Sequence, residues 1–197
     1  MSQGVVSKVE LLVDLARLTE GEREEMQMLG IISPEGTLRE AERPPVHPKL
    51  DPRIIKRPIT APEVLNEAFH YPKPSSFARG LRIDVSGLTV LFISGTASVD
   101  ENGNSVYIGD FGAQTWRTYR NITALLKSEG ATWHDIVKTT CYLRDIERDY
   151  DQFNRIRTSF FRWLGLDPLP ASVGVQTRLC REDLLVEIEA IALFNAR

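Results

Sequence analysis

Alternation of apolar and polar positions is clearest in the second half of the chain, where it begins with a pair of predicted strands. Residues 77–85 and 89–97 alternate with a period of two, as strands do when one face packs on a core. Ser86 and Gly87 join the two runs, and residues of this kind favour a tight turn. The pattern therefore predicts an antiparallel β-hairpin.

Two longer segments instead repeat apolar residues every three to four positions, which is the spacing of an amphipathic helix. They are residues 111–129, with Trp116, Tyr119, Ile122, Thr123 and Leu126 on one stripe, and residues 150–164, with Phe153, Ile156, Phe160, Phe161 and Leu164. A glycine follows each segment, at Gly130 and Gly165, where helices commonly end in a left-handed cap. Both segments are predicted to be helices that pack on a sheet.

Three further runs, residues 136–143, 171–177 and 184–194, are rich in β-branched and other apolar residues, which favour strands. The resulting order β-β-α-β-α-β-β predicts an α+β fold in which two helices cover one face of a sheet. The other face keeps apolar side chains and has no predicted cover. We therefore expect copies of the chain to bury that face by associating with one another.

The first seventy residues differ in pattern from the rest and are predicted to be an extension, residues 1–71, before a domain of residues 72–197. Residues 5–29 show helical spacing, with a capping box from Thr19 to Glu22 and a stop at Gly30. Residues 31–75 hold most of the prolines, which indicates an extended connector. A short helix is predicted within it at residues 61–68.

Composition limits the partners and the location that we expect. The formal net charge is −3, without the basic excess of proteins that bind nucleic acid as their main partner. The N-terminus lacks an apolar run of signal-peptide length, and no segment is long enough to span a membrane, so we expect a cytoplasmic protein. Cys141 and Cys180 are too few for a disulfide framework, and no spacing of ligands indicates a metal site.

Several short motifs occur in order between residues 72 and 195. They are Ser94-Gly95, Gly109-Asp110, Ala113-Gln114, Asn121, Gly130-Ala131, the strand beginning Asp135-Ile136-Val137-Lys138, and the ending Val186-Glu187-Ile188-Glu189. Together they resemble the RidA (YjgF-type) family. The resemblance implies a chorismate-mutase-like fold, a homotrimeric barrel with small-molecule pockets between subunits, and no cofactor. It also implies hydrolysis of reactive enamines and imines, such as 2-aminoacrylate, to a 2-keto acid and ammonia.

The family's site residues carry over only in part. The glutamate that positions or activates water matches Glu187, which is therefore the candidate catalytic residue. Ser172 stands where the family has its substrate-binding arginine, which indicates a divergent subgroup. The ligand-binding candidates that the resemblance and the strand pattern provide are Phe77, Arg79, Gly95, Thr96, Ser172 and Gly174.

Arg79 is included because it offers a positive charge in place of the arginine that the family has at position 172. By the period of two it shares a strand face with Phe77, the residue that replaces the family's tyrosine. A guanidinium on that face would supply the charge-assisted contact that serine lacks. We therefore predict that Arg79 binds a carboxylate.

Other functions remain open from the sequence. Glu189 lies on the same strand face as Glu187 and is an alternative structural carboxylate. A trimer that binds or senses a small molecule without catalysis is the main alternative to an enzyme. A chorismatase-like hydrolase ranks lower, because the chain is short for that two-domain enzyme. An endoribonuclease also ranks lower, because no pair of histidines or basic groove is evident.

Overall fold

The computed structural model describes residues 14–40, 55–71 and 75–195, and these form three α-helices and six strands. The helices are α1 (Glu20–Met28), α2 (Phe111–Ser128) and α3 (Ile146–Leu164). The strands are β1 (Ile55–Pro58), β2 (Gly80–Val85), β3 (Leu88–Ala97), β4 (Ile136–Leu143), β5 (Ala171–Gln176) and β6 (Val186–Asn195). Among the described residues, no helix has the length and apolarity needed to cross a membrane.

The six strands form one mixed sheet in the order β1-β2-β3-β6-β4-β5. Every neighbouring pair is antiparallel except β4 and β5, which run parallel. The turn between β2 and β3 has positive φ angles of 47° at Ser86 and 81° at Gly87, which is the geometry that suits a two-residue hairpin. The predicted hairpin and the predicted α+β class are both confirmed.

The core lies between the sheet and the helices α2 and α3. On β6, the residues Ile188, Ala190 and Ala192 are almost fully buried because this set of alternate side chains points toward the helices. Trp116, Tyr119, Trp133 and Phe160 make ring contacts with one another between the helices and the start of β4. This aromatic cluster fixes how α2 and α3 pack on the sheet.

The opposite face of the sheet is not covered by any described part of the chain. Strand register places one set of side chains on it, and these include Leu81, Phe92, Leu193, Thr140, Tyr142, Val173 and Val175. Phe92 is 44% exposed and Val173 is 45% exposed, and all six residues of the edge strand β5 are exposed. An exposed apolar edge strand is unusual in a protein that stays monomeric.

Helix α1 adds a further layer outside α2. The predicted capping box is present, with Thr19 and Glu22 each bonding to the other's backbone N–H. The carboxylate of Glu25 is fully buried and accepts hydrogen bonds from the Tyr107 hydroxyl at 2.7 Å and from Arg120 at 2.9 Å. The N-terminal segment therefore packs on the domain through charged contacts as well as apolar ones.

Some predicted elements differ from the observed ones. The short helix at residues 61–68 is wrong: residues 61–65 form a turn closed by a bridge between Ala61 and Leu65, and a single 3-10 turn follows at Ala68–His70. Strand β1 was not predicted, because it lies in the proline-rich segment that was interpreted as a connector. It extends the sheet by pairing with β2. Within the predicted helical residues 5–29, residues 5–13 lie outside the described residues.

Several helices and strands begin at a different residue from the one that the sequence predicts. Helix α3 begins at Ile146 rather than at residue 150, because the Asp145 side chain accepts a hydrogen bond from the Arg148 N–H and caps the first turn. The first strand of the hairpin begins at Gly80 rather than at residue 77, and β6 begins at Val186 rather than at residue 184. In both cases the residues before the observed strand lie outside its paired register with the neighbouring strand.

Candidate functional site

The carboxylate of Glu187 lies on the uncovered face of the sheet, near the start of β6. Its neighbours across the strands are Tyr142 on β4 and Ala97 on β3. Glu189 is two residues further along β6, so its side chain points to the same face. Among the described residues, none donates a hydrogen bond to Glu187 and no cation pairs with it. Such a carboxylate is available to a ligand or to water.

Gly95 makes room for this carboxylate. Strand β3 shifts its register against β6 between Ile93 and Thr96, so the chain is irregular where it passes Glu187. An ideal β-carbon on Gly95 would lie 2.1 Å from Oε1 of Glu187, far inside van der Waals contact. Gly95 thus contacts the candidate catalytic side chain directly, and its role in binding a ligand remains a prediction.

The surroundings of Glu187 displace the pKa of its carboxyl upward. Burial raises the pKa of its carboxyl above the ordinary value of 4.5, and the negative charge of Glu189 raises it further. The pKa of the neighbouring Tyr142 hydroxyl is also raised, first by burial and then by Glu189 and Glu187. A carboxyl whose pKa is displaced toward neutrality can both accept and return a proton.

Thr96 follows the register shift but points away from Glu187. It pairs with Ile188 on the helix side of β6, is 1% exposed, and its hydroxyl donates to the Ser94 carbonyl at 2.8 Å. Its side chain is therefore committed to the backbone of its own strand. Ligand binding by Thr96 remains a prediction, and it would need access from the helix side of the sheet.

Phe77 and Arg79 contact each other just before β2. The Arg79 guanidinium carbon is 5.3 Å from the Phe77 ring centroid and 4.8 Å from that of Tyr71. Its Nε donates to the Asn66 carbonyl at 2.9 Å, and the residue is only 5% exposed. Burial lowers the pKa of Arg79. The structure thus packs this guanidinium among residues of the N-terminal segment, and carboxylate binding by Arg79 remains a prediction.

Ser172 and Gly174 lie on β5 and face helix α3. Ser172 is opposite Thr139 on β4 and accepts a hydrogen bond from its hydroxyl at 3.0 Å. An ideal β-carbon on Gly174 would lie 3.6 Å from Tyr150 on α3. Glu187 is on the other face of the same sheet. A single chain therefore does not bring Ser172 and Gly174 together with Glu187.

Sequence reasoning missed two side chains at these places. Tyr142 is next to Glu187, and the period of two along β4 together with the antiparallel pairing to β6 is the signal that points to it. Arg157 on α3 donates to the Ser172 hydroxyl at 3.2 Å, and only the packing of α3 on β5 reveals this contact. Among the described residues, no group of three histidine, cysteine or carboxylate side chains is arranged to hold a metal ion.

Comparison with known proteins gives consistent matches. The family described as endoribonuclease L-PSP matches residues 63–194. A RutC family protein of Pyrococcus abyssi is 31% identical over 122 residues, which cover 61% of this chain and 89% of that protein. The 3-aminoacrylate deaminase RutC of Acinetobacter baylyi is 31% identical over 103 residues, which cover 52% of this chain and 78% of that protein.

Solved structures share the fold. The crystal structure of YyfA, a protein of the conserved Rid family from Yersinia pestis, matches with a TM-score of 0.56 and 27% sequence identity. The match covers 70% of this chain and 98% of that one. The likeness therefore extends over nearly the whole of that protein.

Proposed function

Because the chain belongs to the endoribonuclease L-PSP family, also called YjgF/RidA, we propose that it hydrolyses a small enamine or imine with the help of Glu187. The observation that carries this proposal is the carboxylate of Glu187, which is partly buried, has a raised pKa and has no hydrogen-bond or cationic partner among the described residues. A relative that acts as a 3-aminoacrylate deaminase supports the substrate class, since 3-aminoacrylate is itself an enamine.

The reaction needs one group, next to a bound water, that can both accept and donate a proton. An enamine first takes a proton at carbon and loses one from nitrogen, which gives an imine. The Glu187 carboxylate then accepts a proton from water as the water oxygen bonds to the imine carbon, and the same carboxyl returns that proton to nitrogen. The product is a carbinolamine. Its hydroxyl proton passes to the nitrogen as the carbon–nitrogen bond breaks and ammonia leaves, so an imine and one water give a carbonyl compound and ammonia. A carboxyl with a raised pKa suits both halves of this exchange.

The proposed active form is a homotrimer with small-molecule sites at the boundaries between subunits. The uncovered sheet face and the exposed strand β5 support association, because both present apolar side chains such as Val173 and Val175. Association of copies would also bring Ser172 on one side of the sheet toward Glu187 of another chain. The lining of the site would then come from two chains.

RNA is a poorer substrate for this site than a small molecule. Glu187 and Glu189 lie together on the uncovered face, and the net charge of the chain is −3. Two neighbouring carboxylates repel the phosphates of a polynucleotide, which basic side chains normally neutralise. We therefore propose a small metabolite as the partner despite the family's descriptive name.

The test compares the native protein with two variants on enzymatically generated 2-aminoacrylate and 2-iminobutyrate. Glu187→Gln removes the titrating group and keeps its shape. Glu182→Gln is the matched control, because the Glu182 side chain is 88% exposed in a surface ion pair with Arg178. Release of 2-keto acid should fall by about a hundredfold or more in Glu187→Gln and should be unchanged in Glu182→Gln. No acceleration by the native protein would contradict catalysis and favour a trimer that only binds the metabolite.

A further inference from the structure

A group of polar side chains occupies the gap between helix α3 and the edge strand β5, away from Glu187. Arg157 on α3 donates from Nη1 to the Ser172 hydroxyl at 3.2 Å, and the Thr139 hydroxyl donates to the same oxygen at 3.0 Å. The Cys141 sulfur lies 3.9 Å from the hydroxyl oxygens of both Thr139 and Ser172. Three side chains from two elements, α3 and β4, therefore converge on the hydroxyl oxygen of Ser172.

Neutral groups hold the Arg157 guanidinium in place. Its carbon is 5.3 Å from the Phe153 ring centroid, and its Nη2 donates to the Asn154 side-chain oxygen. Within residues 14–40, 55–71 and 75–195, no carboxylate forms an ion pair with it. A guanidinium has five N–H donors, and these two contacts, to Ser172 and Asn154, leave donors unused. Arg157 is thus an oriented positive charge without an anion.

The hydrogen bonds around Ser172 leave its own proton available. The oxygen already accepts from Arg157 and from Thr139, so the remaining role of this hydroxyl is to donate. Among the described residues, the further polar atom in contact with this hydroxyl is the Cys141 sulfur at 3.9 Å, and sulfur is a weak acceptor. A ligand oxygen would be a stronger one. Ser172 and Arg157 therefore offer two donor groups that are in direct contact with each other.

The place is open to a ligand. Ser172 is exposed, Arg157 is partly exposed, and every residue of β5 is accessible. Behind them, the Tyr119 hydroxyl is buried without a hydrogen-bond partner among the described residues. The positive charge of Arg157 opposes the effect of burial on the pKa of both Tyr119 and Cys141. The charge of Arg157 thus gives the gap a positive potential.

We propose that Arg157 and Ser172 bind the carboxylate of a small-molecule acid, with the guanidinium as the charged donor and the serine hydroxyl as the second donor. This inference rests on the proposed function and narrows its substrate class to enamines and imines that carry a carboxylate. Because Glu187 lies on the other face of the same sheet, the bound acid would meet Glu187 of a neighbouring copy. Arg157 acts as a binding residue and takes no part in proton transfer.

Calorimetric titration with 2-oxobutanoate and with its uncharged methyl ester tests this inference on the full chain. Arg157→Gln should weaken binding of the acid by about tenfold or more, because a hydrogen bond to a charged group is lost. It should leave binding of the ester unchanged. Arg155→Gln is the matched control, because Arg155 is exposed on the same helix two residues away. Arg157→Lys keeps the charge without the planar fork and should recover part of the affinity.

Several results would overturn the inference. They are unchanged affinity for the acid in Arg157→Gln, an equal loss for acid and ester, and no measurable binding of the acid to the native protein. If Arg157→Gln does not fold, as judged by circular dichroism, Arg157→Lys and Ser172→Ala carry the same comparison of acid with ester. Glu187→Gln separates this inference from the proposed catalysis, because that variant should keep the Arg157-dependent affinity while losing hydrolysis.

Discussion

The α-carbon of Gly95 on β3 lies directly against the carboxyl of Glu187 on β6, on the uncovered face of the sheet. An ideal β-carbon on Gly95 would lie 2.1 Å from Oε1 and 2.9 Å from Cδ of Glu187. The glycine therefore sets the position of the carboxyl from the neighbouring strand, while β6 sets its position along the sheet. Proton transfer depends on a carboxyl held within hydrogen-bond reach of its water.

Gly95→Ala should displace the Glu187 carboxyl with little effect on folding, because the clash involves the free end of a side chain. A displacement of about 1 Å is enough to lower the rate of imine hydrolysis by about a hundredfold. Kinetics and urea unfolding measure the two effects separately. The control is the same substitution in a Glu187→Ala background, where it should cost nothing further in rate. Equal rate losses in both backgrounds would contradict contact between the two residues.

Glu187 should make the stability of the protein depend on pH with a definite sign. Its pKa is raised in the folded state, so folding favours the protonated carboxyl. The associated stability is fully present below the unfolded pKa and is lost as pH rises through the folded pKa. Urea unfolding from about pH 4 to 8 should show the native chain losing stability relative to Glu187→Gln. A difference that is constant with pH, or that changes in the opposite direction, would contradict the raised pKa.

Val173→Arg should prevent the chain from assembling. Val173 is 45% exposed on the uncovered face of β5, and burying an unpaired arginine in an interface is strongly unfavourable. Sedimentation equilibrium should give three times 22.3 kDa for the native chain and 22.3 kDa for the variant. Met28→Arg is the control, because Met28 is 61% exposed on the outer helix α1. An identical mass for the native chain and Val173→Arg would place the interface elsewhere.

Glu25→Ala should release helix α1 from α2. The buried Glu25 carboxylate faces Arg120 at 2.9 Å and Arg117 at 3.5 Å, and its removal leaves two partly or fully buried cations without their anion. Breaking such a pair costs about 3–5 kcal/mol. Hydrogen exchange at residues 20–28 should therefore be much faster, while exchange in β6 stays slow. Glu20→Gln, on the exposed side of α1, should change little, and unchanged exchange in Glu25→Ala would show that other contacts hold the helix.

The sequence predicted those parts of the fold that depend on local periodicity. The hairpin turn at Ser86 and Gly87, the helix α2 and the strand β4 were predicted because their side-chain spacing and end signals agree. Strand β1 was missed because an isolated four-residue strand, entirely exposed and ending in Pro58, has no alternating pattern of its own. Only its pairing with β2 in the folded chain identifies these residues as a strand.

The candidate site was predictable only for residues that the family resemblance or strand periodicity identifies. Glu187 was identified from the motif around it, and Tyr142 follows from pairing between β4 and β6. The contact of Arg157 with Ser172 joins a helix to a strand fifteen residues later, so no repeat along the chain indicates it. Arg79 was assigned to a strand face by alternation, but β2 begins after it, at Gly80, and its guanidinium packs on Tyr71 and Phe77.

The central claim is that the carboxyl of Glu187 exchanges protons with water and substrate. The dependence of kcat/KM on pH for 2-iminobutyrate, measured in parallel for the native chain and Glu187→Gln, tests it most directly. We predict that the native rate constant rises as a group with a pKa above 4.5 ionises, and that this rise is absent in the variant. The same rise in both proteins would show that another group, or the substrate itself, is responsible for the titration.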